Sequence, residues 1–370
     1  MKILLFIDSL AGGGSQIQLV NLAIGLQQRG NQVTVVTYAK IETHLPSLSL
    51  AGVDYLCLNK KKRFDLKPAF KLSSIIKSLS PAIVIAFLRT PSIYAELARF
   101  RSPNTPLIVS ERAGLLNGKL RTSDKIGGLL HHLASEVVTN SQAYADGMTQ
   151  FLPTLNKKTS VVYNGINAVF FQNGQKRINN DFPESEKVKY CVVAARPGVE
   201  KGAQTLVKAL VELKNSGLDN FHIDWIGPAD YNDDQVKATN ALLAEFKLEQ
   251  HWNWVGHQEN VANCYQHYDA LISPSHHEGV PNVVCEAMAS ALPVIVTRIG
   301  DNATIVGKGN DKLCCEPNNP SSLYQSMAYF SALRKSTQRG IGEHLHQRAC
   351  TLFDIDTYID NWEMVIERNL

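Results

Sequence analysis

Short apolar runs alternate with stretches of helical periodicity along most of the chain. KILLFI (2–7) and QVTVVTY (32–38) flank IQLVNLAIGLQQRG (17–30), an amphipathic segment stopped by Gly30. The turn between them, DSLAGGGSQ (8–16), is rich in glycine. Strand, glycine turn, helix and strand in that order predict a βαβ unit of a doubly wound parallel sheet. The strand pattern continues at AIVIAF (82–87), PLIVSER (106–112), SEVVTNS (135–141) and TSVVYNGIN (159–167). Between two of these, GLLNGKLRTSDKIGGLLHH (114–132) predicts a mobile loop and a helix. QNGQKRINNDFPESEKVK (172–189) is polar and breaks the pattern as a linker does. KYCVVAARPGVEKGAQTLVKALVEL (189–213) then restarts it, and FHIDWIG (221–227), HWNWVG (251–256), DALISPS (269–275) and PVIVT (293–297) carry it on. The expected plan is a Rossmann-like domain over 1–168, a linker over 169–188, and a second Rossmann-like domain over 189–353. Residues 354–370 are expected to form a last amphipathic helix.

Composition narrows the class. The chain has 370 residues, enough for two cores, and its 44% hydrophobic and 19% charged content is that of a globular protein. No apolar run reaches the roughly 20 residues of a membrane span. The first apolar run is interrupted by Asp8, so it reads as a strand and not as a signal peptide. Seven cysteines without CxxC spacing predict reduced thiols and a cytosolic compartment, with Cys314 and Cys315 on a buried strand edge. The net charge of +3 hides an asymmetry: residues 1–166 carry 19 lysines and arginines against 9 acids, whereas residues 167–370 carry 18 against 25. A basic first half is expected to meet something anionic. Its densest run, Lys60, Lys61, Lys62 and Arg63 ahead of an apolar helical face, is either a solvated helix or a surface resting on anionic lipid headgroups. Nothing in the pattern suggests nucleic acid.

The chemistry concentrates in SPSHHEGVPNVVCEAMASALPVIV (273–296). A buried strand ends at Ser273, a polar loop carries His276, His277, Glu278 and Gly279, and Pro281 suits the first position of a helix. The amides of that first turn form an anion site at a strand's carboxyl end, with Gly279, Val280 and Pro281 bringing backbone close to the ligand. Glu286, about one and a half turns in, can accept two hydroxyl hydrogen bonds from the same ligand. Glu278 would face the ligand's other end. Upstream, AARPGVEKG puts Arg196 at a strand end and Lys201 ahead of a helix, a pair able to bracket a diphosphate. Gly13 and Gly14 either let backbone approach a phosphate or sugar or simply make a tight turn; the run is GGGSQ and not GxGxxG, and no acid ends the second strand. Arg89 and Arg112 lie at strand ends, where each either meets an acceptor's phosphate or forms a structural ion pair.

Glu278 and Glu286 with seven residues between them, the GVP and NVVCEAMASALPVI that follow, and the upstream AARPGVEKG together resemble the retaining nucleotide-sugar glycosyltransferases of family 4. VTNS and VYNGI are similar to family segments as well. The resemblance implies the GT-B fold: two Rossmann-like doubly wound domains facing a central cleft, with a C-terminal helix crossing back to the first. It implies transfer of a hexose or N-acetylhexosamine from a nucleotide sugar, most simply a UDP-sugar, to a glycan or lipid-linked saccharide in bacterial surface polysaccharide synthesis, such as that of lipopolysaccharide. The enzyme would be cytoplasmic or peripheral on the membrane's inner face and would need neither metal nor cofactor. Arg196 and Lys201 then match the phosphate clamp, where they stabilise the negative charge growing on the leaving diphosphate. Glu286 matches the ribose carboxylate, and Glu278 to Pro281 match the sugar and β-phosphate side. Gly227, His257 and Gln258 match segments that meet the base. Where many members carry a first-domain histidine, this chain has Arg89 and Thr90. A nicotinamide-dependent oxidoreductase and a two-domain small-molecule-binding protein are the alternative readings.

Overall fold

The computed structural model describes residues 1–62, 65–116, 118–179, 187–194 and 197–370. They divide into two compact units, one formed by Met1–Gly165 with Ile355–Leu370 and the other by Ile166–Asp354.

Unit 1 holds seven strands: β1 (Lys2–Ile7), β2 (Gln32–Thr37), β3 (Asp54–Cys57), β4 (Ile83–Phe87), β5 (Leu107–Glu111), β6 (Glu136–Thr139) and β7 (Thr159–Val161). They form one sheet in the order β3-β2-β1-β4-β5-β6-β7, and every pairing is parallel. β1, β4 and β5 are buried almost throughout, as continuous apolar runs must be when both faces of a parallel sheet are covered. The strand order reverses at β1, between β2 and β4, which makes the carboxyl ends of β1 and β4 the switch point where such sheets bind ligands. One face packs against helix Gly14–Gln28 and the terminal helix Ile355–Glu367, whose Tyr358, Ile359, Trp362, Val365 and Ile366 enter the core. Trp362 stacks on Phe87 with ring centroids 5.4 Å apart. The other face is covered by helices Lys67–Leu79 and Arg89–Arg99.

Unit 2 holds β8 (Val188–Val193), β9 (Phe221–Ile226), β10 (Trp252–Gly256), β11 (Ala270–Ser273), β12 (Val294–Thr297) and β13 (Cys314–Cys315). The order is β10-β9-β8-β11-β12-β13, again parallel throughout, with its switch at β8. The vicinal cysteines form a buried edge strand, as their apolar setting predicts.

Three local differences from the sequence pattern have physical causes. The helix expected from residue 17 starts at Gly14 because Gly13 takes an extended N-cap conformation. The stretch expected as a linker opens with a helix, Ala168–Asn179. Its polar side chains serve unit 2: Arg177 donates to the carbonyls of Tyr265 (3.0 Å) and Tyr268 (2.7 Å), and Asn173 to that of Ala262 (3.0 Å). Residues 180–186 lie outside the described residues. β3 escapes the pattern because only alternate residues of this edge strand are partly buried.

Candidate active site

Two loops at the carboxyl edge of the unit 2 sheet are stitched together. The loop after β8 turns through Val199–Lys201 into Gly202, which has φ +72° and opens helix Ala203–Asn215. A Cβ at Gly202 would sit 2.1 Å from the Pro274 carbonyl oxygen in the loop after β11. Glycine is therefore required there for both conformation and space. The His276 amide donates to the Glu200 carbonyl at 2.7 Å, and its ring meets Thr205 Oγ1 at 3.0 Å. Burial lowers the His276 pKa, which favours the neutral ring in that contact.

This stitching brings Lys201 and Glu278 together. The ammonium donates to Glu278 Oε1 at 2.5 Å, and both side chains remain partly exposed, at 26% and 20%. A cation and a carboxylate, 77 positions apart in the chain, thus meet at one strand-end turn. Gly279 and Val280 are buried beside them, and the Gly279 carbonyl accepts from the Asp301 amide at 3.3 Å. Pro281 is the N-cap of helix Asn282–Ala289, extended at φ −73° and ψ 125°, and so precedes the first helical position at which the sequence placed it. It supplies no side-chain cap, which leaves the helix's positive end to other partners.

Glu286 lies inside that helix. Its side chain keeps some solvent contact, yet the carboxylate is set among protein atoms, and Tyr265 is its hydrogen-bonding side-chain partner among the described residues, at 3.5 Å. Burial outweighs that weak hydrogen bond and pushes the Glu286 pKa up to about 7. A carboxylate short of donors is suited to accept hydroxyl hydrogen bonds from a ligand.

The base-side candidates lie on neighbouring strand ends. Gly227 follows β9 at φ +143°, its amide donating to the Gly256 carbonyl at 2.9 Å, and a Cβ there would strike the Ala194 carbonyl. His257 is exposed and Gln258 half-buried, directly after β10. Arg196 lies outside the described residues.

In unit 1, Gly13 caps helix Gly14–Gln28 at the carboxyl end of β1, with no side-chain cap and no acid in the first turn. The two arginines at strand ends are both engaged by protein groups. Arg89 pairs with Asp124, lies 4.0 Å from Glu111 and donates to Ser123 at 2.9 Å. Arg112 donates to Ser110 (2.9 Å) and Asn164 (2.6 Å), with its guanidinium over the rings of Phe87 and Trp362. Burial lowers its pKa, Tyr358 opposing. Sequence reasoning missed Tyr265 and Thr205, whose roles depend on contacts 21 and 71 positions away in the chain.

Two all-parallel doubly wound sheets, one in each unit, are the architecture of the GT-B fold. The family model described as Glycosyltransferase Family 4 matches residues 12–170, and that described as Glycosyl transferases group 1 matches residues 188–332. The chain belongs to the glycosyltransferases that join these two domains. It is 21% identical to N-acetyl-alpha-D-glucosaminyl L-malate synthase of Bacillus anthracis, over 95% of this chain and 93% of that one. It is 22% identical to the N-acetylgalactosamine-N,N'-diacetylbacillosaminyl-diphospho-undecaprenol 4-alpha-N-acetylgalactosaminyltransferase of Campylobacter jejuni, over 88% and 89%. The Anabaena HepE structure in complex with UDP superposes with a TM-score of 0.83 at 19% identity, covering 100% of both chains.

Proposed function

We propose that this chain transfers a hexose or N-acetylhexosamine from a UDP-sugar, with retention of configuration, to a glycan or lipid-linked saccharide in bacterial surface polysaccharide synthesis. The observation that carries the proposal is the partly exposed Lys201–Glu278 pair at a strand-end turn, followed by Glu286 with its raised pKa. A phosphate arriving at the turn competes with Glu278 for the Lys201 ammonium. Glu278 is then released to accept a hydroxyl of the donor sugar. Lys201, with Arg196, stabilises the diphosphate as the glycosidic bond breaks and negative charge grows on its oxygen. Glu286 accepts the ribose hydroxyls, and Gly227, His257 and Gln258 lie against the base. The acceptor hydroxyl attacks from the face the diphosphate leaves and gives its proton to the departing phosphate oxygen, so no carboxylate serves as a covalent nucleophile. Neither metal nor cofactor takes part in this scheme. The UDP in the HepE complex and the diphospho-undecaprenol in the Campylobacter enzyme's name support the donor and acceptor classes.

Titration calorimetry of UDP in EDTA tests the reading. Wild type is expected to bind with a Kd of about micromolar, and Glu286→Ala and Arg196→Ala each to weaken binding about tenfold or more. Wild-type affinity should also rise between pH 6 and 8, as Glu286 ionises and becomes a full acceptor, and Glu286→Gln should flatten that rise. If neither UDP nor GDP binds wild type, the donor assignment fails.

A further inference from the structure

Helix Thr122–Leu130 of unit 1 is amphipathic the wrong way round. Its inward positions are Asp124, Gly127 and Gly128, all buried. Ile126 and Leu129, three positions apart and so on one face, stand 64% and 54% exposed. The inward side is fastened by polar chemistry. Asp124 pairs with Arg89 and accepts from the Arg121 amide at 2.9 Å. Just beyond the helix, buried His131 contacts Glu96 at 2.7 Å and Glu111 at 3.5 Å. The two glycines let the helix lie close: a Cβ at Gly127 would be 3.1 Å from the Arg89 stem, and one at Gly128 2.9 Å from Met148 Sδ. A helix held from below by ion pairs and glycines has no need of isoleucine and leucine on its outer face for folding.

That outer face continues onto its neighbours. Lys125 lies over the ring of Phe151, 5.3 Å from its centroid, and Phe151 is itself 39% exposed. Leu116, 46% exposed, stands in the turn that leads into the helix, bridged to Lys119. Lys119, Arg121 and Lys125 are exposed, and Asp124, the acid within the helix, is turned inward. Exposed apolar side chains flanked along the chain by exposed Lys119, Arg121 and Lys125, with the helix's own acid turned inward, match an anionic bilayer surface in both layers: acyl chains take the apolar groups and headgroups the cations.

The basic run at Lys60–Lys62 is a weaker match. Lys60 lies over the rings of Tyr38 and Tyr94, at 4.8 and 5.2 Å, and the nearby Lys71 donates to the Leu58 carbonyl at 2.7 Å. Arg63 lies outside the described residues.

We infer that helix Thr122–Leu130, with Leu116 and Phe151, is a docking surface for anionic lipid, inserting Ile126 and Leu129 between headgroups. The inference rests on unit 1 alone and is independent of the donor assignment. Co-sedimentation with vesicles tests it, using phosphatidylcholine alone and phosphatidylcholine mixed with phosphatidylglycerol. Wild type should partition onto the mixed vesicles, less so at high salt, and little onto phosphatidylcholine. Ile126→Glu/Leu129→Glu should reduce that partition about tenfold or more, and Lys125→Glu several-fold. The three changed side chains are exposed, so thermal unfolding should match wild type. Equal partition by wild type and the double variant overturns the inference, as does wild type that ignores both kinds of vesicle. Wild type that is dimeric by light scattering, ignores vesicles and becomes monomeric on the double substitution also overturns it, assigning the face to a second copy of the chain.

Discussion

Both units bury carboxylates near the carboxyl ends of their strands, and they treat them in opposite ways. In unit 1, Glu96, Glu111 and Asp124 share His131 and Arg89 in a cluster that is closed to solvent except at the arginine. In unit 2, Glu286 has the hydroxyl of Tyr265 and, among the described residues, no cation within salt-bridge reach. The first arrangement is complete in charge, each acid facing a cation supplied by the fold, although burial still raises the Glu96 pKa against the pull of His131. The second has no such cation among the described residues, and burial raises its pKa with only the Tyr265 hydrogen bond opposing. Structural ion-pair networks and functional sites both perturb ionisable groups, and here the missing cation distinguishes one from the other. By that criterion the unit 2 carboxylate belongs to a ligand site and the unit 1 cluster to the scaffold.

The largest expected effect separates the two directly. His131→Ala leaves Glu96 and Glu111 buried without their shared cation, which should cost about 3–5 kcal/mol of folding stability by chemical denaturation. UDP affinity of the protein that remains folded should be unchanged. A cost below about 1 kcal/mol would mean that the cluster is not the completed scaffold described.

Glu286→Gln should do the reverse. The amide still meets Tyr265 but carries no charge to desolvate, so stability at pH 8 should stay level or rise by about 1–3 kcal/mol, while UDP binding weakens at least about tenfold. Loss of stability without loss of binding would turn Glu286 into a scaffold residue. Lys201→Met is the companion change in the same site. It should lower kcat by about two orders of magnitude with little effect on unfolding, because the pair it breaks is partly solvated.

Except for the edge strand β3, the strands of both sheets could be read from the sequence because apolar runs such as KILLFI and PVIVT admit few other fates. The Glu278 and Glu286 segment and Lys201 were legible for a related reason, since glycines and charges at strand ends are local signals. Tyr265 and the His131 cluster were not. Their meaning arises from contacts between residues 15 to 35 positions apart, and no spacing rule covers side chains on different helices. The inverted helix Thr122–Leu130 shows the same limit: a helix is expected within 114–132, but the sequence does not say which of its faces points inward. Here ion pairs and glycines settle the direction that hydrophobicity alone would have assigned the other way.

The smallest effect sharpens the comparison through pH. Burial alone would lower the His131 pKa, but hydrogen bonds to Glu111 and Glu96 and their charges outweigh it and raise it to about 9. A histidine pKa raised by folding gives stability that is fully present below the unfolded value near 6.5 and is lost as pH rises through about 9. Glu286 is also raised, from 4.5 to about 7, and for a carboxyl this again means that the folded state favours the proton. Its contribution is therefore lost as pH rises through about 7, a lower window with the same sign. Stability followed by urea unfolding from pH 5 to 10 should fall in two steps of about 1 kcal/mol or more. Glu286→Gln should remove the lower step, and a saturating nucleotide should compress it, because hydroxyl donors stabilise the ionised form. His131→Gln should remove the upper step, and nucleotide should leave that step where it is. If nucleotide moved the upper step instead, the cluster in unit 1 would be part of the ligand site, and the distinction between completed and incomplete carboxylates would fail.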